Sequence, residues 1–404
     1  MLGLTFMHGS RRRLTTRLRD SCIGTDLKVV CETIDAFCLS LVRRFRGLAG
    51  LNDSVIHPVG APLGADGDAL VATYLTFGEI RVLAESIIVT SWVSAWLANS
   101  YTCVVVDEFQ DCSADLLGVM QALAGCLPTF AAADEFQLLD SNGACQAVDW
   151  LREIGSVVEL SKVHRTTNPS LLAAATALRD GTRSKTGLQV LECQAAGLAA
   201  WRVAERIAWQ GWGPSRDISV ALLSPVGVGK SKFFRDTLQS LRRQLGQKTR
   251  IGPYPFELES TSDISGHTRE LLDLIGALPD RVPLSSVRVL ESEPSIARLA
   301  ANCRARGRIT IDKTELVQAA ERSAHAARFS TWRGERGRVA TTIHGAKNRE
   351  FDYVAVLWPY EAAGDDEHQR RLLYNGVTRA KRDAIVLVQG QGRATNNSPL
   401  FGLL

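Results

Sequence analysis

The chain has 404 residues, 45% of them apolar and 22% charged, and this composition excludes a disordered, collagen-like or low-complexity protein. Its 47 basic and 43 acidic side chains leave a net charge of +4, which permits a nucleic-acid partner without indicating one. The length predicts two or three packed units rather than one.

The cysteines and the apolar runs bear on the cellular location of the protein. Nine cysteines are present without a C-x-x-C pair, so the sequence predicts neither a disulfide framework nor a zinc cluster and favours a reducing, cytoplasmic location. No uninterrupted apolar run of about 18 residues occurs, and no signal-peptide pattern precedes Arg11-Arg12-Arg13. We therefore expect no membrane partner.

In the first half of the chain, short apolar runs alternate with helical patterns, as is typical of parallel α/β layers. Strands are predicted at 2–6, 29–33, 104–107 and 129–134, and helices at 11–20, 36–45 and 170–179. Residues 47–78 are rich in Gly, Pro and Asp, so an insertion is predicted at about 47–88. Residues 180–187 are predicted to link this half to the next.

The second half repeats the alternation. Strands are predicted at 188–193, 218–223, 341–343, 354–357 and 384–388, and helices at 199–209 and 231–245. The expected fold is therefore α/β, with two lobes built on parallel sheets. The predicted boundaries are residues 1–185 and 186–404, and the second lobe is expected to carry an insertion at about 225–338.

Two predicted strands end in a pair of carboxylates. Asp107-Glu108 follows the first of them, and Asp134-Glu135 follows the second. Ligands of open α/β sheets bind outside the carboxyl ends of the strands, so both pairs can face one site. Adjacent carboxylates can hold Mg²⁺ and polarise an attacking water, as nucleotide hydrolysis requires. Taken alone, each pair is more often a solvated acidic turn than a metal site.

Several segments resemble, in the same order, the motifs of superfamily 1 helicases of the UvrD, Rep and PcrA type. The D-E-x-Q-D hallmark of that family is matched by residues 107–111, after the apolar run 104–106. The other matching segments are Leu4-Thr5-Phe6, Thr33-Ile34-Asp35-Ala36-Phe37, Ala133-Asp134-Glu135-Phe136-Gln137, His164-Arg165-Thr166, the segment from Thr342 to Phe351, and the segment from Arg371 to Lys381.

This resemblance implies two RecA-like lobes that close on ATP and Mg²⁺. It makes Asp107 and Glu108 the residues that handle the metal and the attacking water. Gln137 would sense the γ-phosphate, and Glu350 would contact the nucleotide sugar. Two arginines, Arg165 and Arg379, would meet the charge that develops on the phosphate, a task that suits the planar and permanently charged guanidinium.

By the same resemblance the polymer is single-stranded DNA or a single-strand/duplex junction, with translocation or unwinding in the 3′ to 5′ direction. The residues implied in DNA contact are Thr5, Phe6, Arg11, Arg12, Thr33, Thr342, His344 and Lys347. Arginines cluster at 11–19 and again at 322–338. Contact of the first cluster with DNA is favoured over a solvated helix face, and for the second cluster neither is preferred.

The chain also departs from the family pattern. The Walker A loop G-x-x-x-x-G-K-T is not found before the Thr-Phe element, which predicts a first lobe that is incomplete at its N-terminus and weak ATP binding by the chain alone. An ATPase-inactive DNA-binding or scaffold subunit is therefore an alternative, with a partner protein or a missing N-terminal segment completing the motor. Residues 224–231 partly resemble a Walker A loop, but a helix-opening turn is favoured there.

At two further places the residues of this chain differ from those of the family motifs. Asn348-Arg349 replaces the family's Gly-Leu, which is expected to alter how Glu350 is presented. Asp140 stands where the family carries an aromatic side chain that stacks on a base. Trp150 is a possible substitute, although a position in the core is favoured for it.

Overall fold

The structure is a computed structural model in which the chain forms two compact units. Unit 1 comprises Met1–Val157 and Thr268–Ala327, and unit 2 comprises Val158–His267 and Arg328–Leu404. The description covers all residues except 7, 52–53, 59–70, 140–143, 161–164, 185–186, 214–217, 247–248, 260–270, 273, 292, 306, 314, 318, 321–336 and 391–399.

A parallel sheet forms the centre of unit 1. The strands in the first part of the chain are β1 (Leu2–Thr5), β2 (Val30–Thr33), β3 (Ser54–Pro58), β4 (Val71–Leu75), β5 (Val104–Asp107) and β6 (Thr129–Ala131). The described sheet has the order β2-β1-β5-β6, and β3 and β4 pair separately. Apolar residues of β1 and β5, including Leu2, Leu4, Val104 and Val106, are buried in one hydrophobic cluster.

Helices cover this sheet through their apolar faces. They are α1 (His8–Ser21), α2 (Ile34–Arg44), α3 (Phe77–Ile88), α4 (Ser91–Ser100), α5 (Ala114–Ala124) and α6 (Ala144–Ile154). A capping box between Thr76 and Glu79 starts α3, whose next turn carries Arg81. The Arg81 guanidinium forms ion pairs with Asp35 at the start of α2 and Asp115 at the start of α5, which ties the three helix starts together.

The remaining part of unit 1 has a hydrophobic cluster of its own. It contains β10 (Arg281–Pro283), α10 (Pro294–Ala305) and β11 (Thr310–Asp312), and β10 pairs antiparallel with β11. Buried apolar residues such as Val282, Ile296 and Ile311 pack together there. This segment therefore forms a small packed element rather than an open loop.

Unit 2 is built on a larger sheet whose described strands are all parallel. These strands are β7 (Gln189–Cys193), β8 (Ser219–Ser224), β9 (Glu257–Leu258), β12 (Gly337–Thr342), β13 (Phe351–Trp358) and β14 (Ala380–Gln389), in the order β7-β14-β13-β8-β12-β9. Every residue of β8 is buried, as expected for a central strand covered on both faces.

The helices of unit 2 are α7 (Pro169–Asp180), α8 (Ala196–Trp209), α9 (Lys232–Leu241) and α11 (Asp366–Val377). Asn168 caps α7 and Gly181 ends it in the left-handed region, so both ends carry the residues that helix termini favour. The helix α7 packs against α11, and α8 packs against α9.

The predicted α/β class with parallel sheets is confirmed, but the unit boundaries differ from the predicted lobes of 1–185 and 186–404. The helix α7 lies in unit 2 because it packs on α11, so the division falls after Val157. The expected insertion at 47–88 includes α3, yet Ile80, Ala84 and Ile87 of α3 are buried in the unit 1 core. Within the expected insertion at 225–338, only residues 268–327 leave unit 2, because α9 and β9 pack on its sheet.

Within the part of the chain that the structure describes, no single helix is long and apolar enough to cross a bilayer, although the bent pair α3 and α4 together meets that length and composition. The described cysteines form no disulfide. Burial raises the pKa of the Cys38 and Cys112 thiols to about 12, as expected for thiols packed in a core.

Candidate functional site

The carboxyl ends of three parallel strands meet in unit 1. Thr5 at the end of β1 is in register with Thr33 of β2 on one side and with Asp107 of β5 on the other. Residues predicted to contact DNA and residues predicted to hold the metal therefore lie side by side at one edge of the sheet. This is the edge at which open α/β sheets bind their ligands.

The adjacent carboxylates at this edge repel each other. Asp107 is half-buried, and its pKa is raised by burial and by the negative charge of Glu108, while Arg13 and Arg17 of α1 act in the opposite direction. Glu108 has a φ of 60° and lies in the left-handed region, which non-glycine residues seldom occupy. The strand therefore ends in a strained turn that presents two carboxylates of like charge.

A divalent cation fits this pair of carboxylates because it would relieve their repulsion. Among the described residues, no cluster of three or more His, Cys, Asp or Glu side chains could hold a metal ion. Mg²⁺ does not need such a cluster, since it is commonly held by one or two carboxylates together with substrate phosphates and water. Asp107 and Glu108 thus match the donor set of a nucleotide-associated Mg²⁺.

Gln110 links the two acidic segments, a role that the sequence analysis did not assign. Its Nε2 donates to Glu108 Oε2 at 2.6 Å, and its Oε1 accepts a hydrogen bond from the Asp134 backbone N–H at 2.9 Å. The side chain is fully buried, with 0% of its surface exposed. Gln110 therefore holds the end of β5 against the segment after β6. Its presence in the D-E-x-Q-D motif is the signal that could have suggested this role.

Gln137, predicted to sense the γ-phosphate, lies in the same acidic segment after β6. Its Nε2 donates to Asp134 Oδ2 at 2.8 Å, and Asp134 also caps the short turn at Glu135–Gln137. Gln137 and Glu108 are thereby connected through Asp134 and Gln110. The role of Gln137 in phosphate sensing remains a prediction.

The predicted DNA contacts of unit 1 differ in accessibility. Thr5 and Thr33 are 0% and 4% exposed, and the Thr33 hydroxyl accepts a hydrogen bond from the Ala36 N–H as the N-cap of α2. Phe6 packs edge-to-face on Phe109 at 6.4 Å. Arg11 is exposed on α1, and the Arg12 side chain lies outside the described part of the structure. Among these described residues, Arg11 is thus open to a polymer, whereas the two threonine side chains are buried.

Phe109 also stacks on Trp150, with ring centroids 6.2 Å apart. Trp150 is half-buried and packs against the unit 1 cluster, in line with the core position favoured for it. Asp140, the other residue considered for base stacking, falls outside the described residues.

In unit 2 the predicted nucleotide residues gather at the amino ends of two neighbouring strands. Glu350 directly precedes β13 and Arg379 directly precedes β14, and Phe351 is in register with Ala380. Arg165 joins them from the segment before α7. Its Nε donates to Glu350 Oε1 at 3.1 Å and its Nη1 donates to the Thr378 carbonyl at 2.8 Å. Three residues predicted from separate motifs therefore form one group.

A lysine completes this group, and the sequence analysis did not single it out. The Lys381 ammonium lies 3.6 Å from Glu350 Oε2. Arg379, by contrast, is 1% exposed, and its Nε donates to the Asn375 carbonyl at 3.1 Å. Arg379 would have to move before it could contact a phosphate in solution, so its predicted role stays a prediction.

The segment between β12 and β13 carries the other predicted contacts of unit 2. Thr342 Oγ1 accepts a hydrogen bond from the Gly345 N–H at 3.0 Å, His344 is exposed and Lys347 is half-buried. Asn348 has a φ of 63°, so it adopts the left-handed conformation that suits the family's glycine at this position. The substitution of Gly by Asn is therefore compatible with the turn that leads to Glu350.

Arg349, which replaces the family's leucine, is also accommodated. It is buried, forms an ion pair with Glu259 next to β9, and lies over the Phe351 ring. The residues on both sides of Glu350 are thus anchored to the sheet.

The segment at 224–231 begins at the carboxyl end of β8 and forms a turn that opens α9. The Ser231 hydroxyl accepts a hydrogen bond from the Phe234 N–H as the N-cap of α9. Glu350 and Arg379 lie at the opposite, amino ends of the sheet. The segment is the helix-opening turn that the sequence favoured.

One part of the chain matches a known family. Residues 338–387 match the UvrD-like helicase C-terminal domain. The matched segment runs from β12 through α11 into β14 and carries Thr342, His344, Lys347, Glu350 and Arg379. The match confirms the predicted resemblance to UvrD-like helicases over these residues.

Among solved structures, the chain is similar to a Pif1 helicase from Candida albicans at 10% identity and a TM-score of 0.36, covering 98% of this chain and 92% of that one. It is also similar to a Pif1 helicase from Bacteroides, solved with ADP-AlF3 and ssDNA, at 11% identity and a TM-score of 0.33, covering 95% and 87%. Both TM-scores are low, and neither similarity carries weight beside the UvrD-like domain. No curated protein matches the sequence.

Proposed function

We propose that this protein is an ATP-dependent motor of the UvrD and Rep type that moves 3′ to 5′ along single-stranded DNA. The observation that carries the proposal is the strand-end geometry of unit 1, where Thr5 is in register with Thr33 on one side and with Asp107 on the other, and Glu108 follows Asp107. The UvrD-like domain of unit 2 supports it, because Arg165 and Glu350 of the matching motifs are in contact.

In this proposal the acidic pair and the arginines have different roles in nucleotide hydrolysis. Asp107 and Glu108 would hold Mg²⁺, which when bound supplies positive charge to the phosphate oxygens. Glu108 accepts a proton from the attacking water, in the orientation that Gln110 gives its carboxylate. Arg165 and Arg379 of unit 2 balance the negative charge that develops on the transferred phosphoryl group.

DNA contact is proposed for basic side chains that are wholly or partly exposed. Arg11 on α1 and, in unit 2, His344 and Lys347 supply contacts to the phosphate backbone. Such contacts release counterions and are independent of sequence, so binding must weaken as salt rises. Equal affinity for a single strand at low and high salt would reject this assignment.

The test of the proposed activity is DNA-stimulated ATP hydrolysis by the full chain. Glu108→Gln should remove most of the turnover while leaving single-strand binding in place. Glu153→Gln is the matched control, because Glu153 is exposed on α6 and belongs to none of the motifs. Hydrolysis that is unaffected by Glu108→Gln would eliminate the catalytic assignment.

The second candidate is an ATPase-inactive DNA-binding subunit that relies on a protein partner for the motor. The burial of Arg379 favours it, since a phosphate cannot reach that guanidinium in the conformation described. Salt-dependent binding of single strands, without hydrolysis and without any effect of ATP on affinity, would support this candidate over the motor.

A further inference from the structure

Arg165, Glu350 and Lys381 form a group that we call the Glu350 cluster. One Glu350 oxygen lies 3.1 Å from Arg165 Nε, and the other lies 3.6 Å from Lys381 Nζ. The carboxylate therefore contacts a guanidinium and an ammonium that come from segments far apart in the chain. These three side chains together carry one more positive than negative charge.

Arg165 and Glu350 are held in place by neighbouring contacts. Arg165 is fixed by its second bond to the Thr378 carbonyl, and the Asn168 amide, three residues on, donates to the Arg382 carbonyl at 2.6 Å. The turn that presents Glu350 is anchored by the Arg349–Glu259 ion pair. Arg165 therefore keeps contacts around it that do not involve the Glu350 carboxylate.

The cluster is accessible to a dissolved anion. The Arg165 side chain is 26% exposed and the Lys381 side chain is 37% exposed, whereas Arg379 is 1% exposed. A polyphosphate presents the same kind of oxygen acceptor as a carboxylate but carries more charge. It can therefore compete with Glu350 for the two cations.

We propose that Glu350 is an internal counter-ion that occupies the cations Arg165 and Lys381 until a nucleotide polyphosphate displaces it. This inference rests on the proposed function and extends it in two ways. Lys381 becomes a polyphosphate-binding residue, and Glu350 becomes a positioning residue that keeps Arg165 aligned in the absence of nucleotide. Nucleotide binding then exchanges one anion for another.

This role differs measurably from a contact between Glu350 and the nucleotide sugar. An internal counter-ion competes with any polyphosphate, including one that has no sugar. A sugar contact strengthens the binding of ATP and has no effect on a ligand that lacks the sugar. Tripolyphosphate and ATP are therefore the two probes that separate the roles.

The experiment titrates the full chain with tripolyphosphate and with ATP in metal-free buffer, which removes any contribution from Mg²⁺ held by Asp107 and Glu108. Glu350→Gln should bind tripolyphosphate about three- to tenfold more tightly than the wild type, the range expected for removing a partly exposed ion-pair competitor. Glu205→Gln is the matched control, since Glu205 pairs with Arg202 at 3.2 Å elsewhere in unit 2. Its affinity should equal that of the wild type.

A second change tests Lys381 directly. Adding Lys381→Met to Glu350→Gln should cancel the gain, and thermal unfolding should confirm that both variants are folded. Unchanged or weaker tripolyphosphate binding by Glu350→Gln overturns the inference. So does a loss of ATP affinity with unchanged tripolyphosphate affinity, because that pattern indicates the sugar contact.

Hydrolysis measured in parallel separates this inference from the proposed function. A gain in tripolyphosphate affinity without any DNA-stimulated hydrolysis refutes the motor but retains the counter-ion role. Hydrolysis that depends on Glu108, together with no gain in affinity, retains the motor and refutes the counter-ion role.

Discussion

Replacement of Gln110 by leucine is expected to destabilise unit 1 strongly. The side chain is fully buried and makes two hydrogen bonds, one to the Glu108 carboxylate and one from the Asp134 N–H. A hydrogen bond to a charged group contributes about 1.5–3 kcal/mol and a neutral one about 0.5–1.5 kcal/mol. Leucine fills much of the same volume but satisfies neither group. The expected loss is therefore about 2–4 kcal/mol in the free energy of unfolding.

Hydrogen exchange is the suitable measurement, because the two units need not unfold in one transition. Amides of β5 and β6 report on unit 1 alone. Where they exchange through unfolding of that unit, Gln110→Leu should accelerate exchange by about 30-fold to about 900-fold, the equivalent of that loss.

The control is Gln121→Leu, which makes the same change at an exposed position on α5. It should alter the free energy of unfolding by less than about 0.5 kcal/mol. If exchange in β5 and β6 is the same in the two variants, Gln110 does not link the acidic segments as described.

Three further predictions concern single residues. Asn348→Gly should preserve the stability of unit 2 in urea titrations, whereas Asn348→Val should lower it by about 1–2 kcal/mol, because a β-branched side chain is disfavoured in the left-handed region; equal stability of the two variants would contradict the turn geometry. Asp107→Asn should raise the melting temperature at neutral pH, because burial and Glu108 raise the pKa of Asp107 and its charged form opposes folding. That gain should vanish as pH falls below about 4, where the wild-type carboxyl is neutral in both states. Thermal melts of both proteins between about pH 3.5 and 8 in metal-free buffer measure it, and a melting temperature that falls on substitution at neutral pH would contradict the prediction. Thr76→Ala should cost about 1 kcal/mol by removing the capping box of α3, and a matched Thr102→Ala change at an exposed loop position should not.

Local pattern was sufficient to place most elements of the sheets. The strand predicted at 104–107 is β5 (Val104–Asp107), and the helix predicted at 170–179 is α7 (Pro169–Asp180). These elements have a continuous apolar run or clear capping residues, so their signals lie within a few neighbouring residues.

The observed units differ from the predicted lobes where long-range packing decides. The Gly-, Pro- and Asp-rich residues before α3 favour an insertion there, although the buried positions Ile80, Ala84 and Ile87 of α3 follow helical spacing. The linker-like segment after α7 favours a place in the first lobe, but α7 packs on α11, nearly 200 residues later in the chain. Sequence proximity could not show which unit each helix covers.

The amino-acid sequence by itself determined the α/β alternation, the carboxylates at the strand ends and the motifs that resemble those of UvrD-like helicases, because each depends on residues close together in the chain. Only the tertiary structure decided that Gln110 joins the two acidic segments and that Glu350 contacts both Arg165 and Lys381. The physical reason is range: Arg165 and Glu350 lie 185 positions apart, and only strand pairing and helix packing bring their charges into contact.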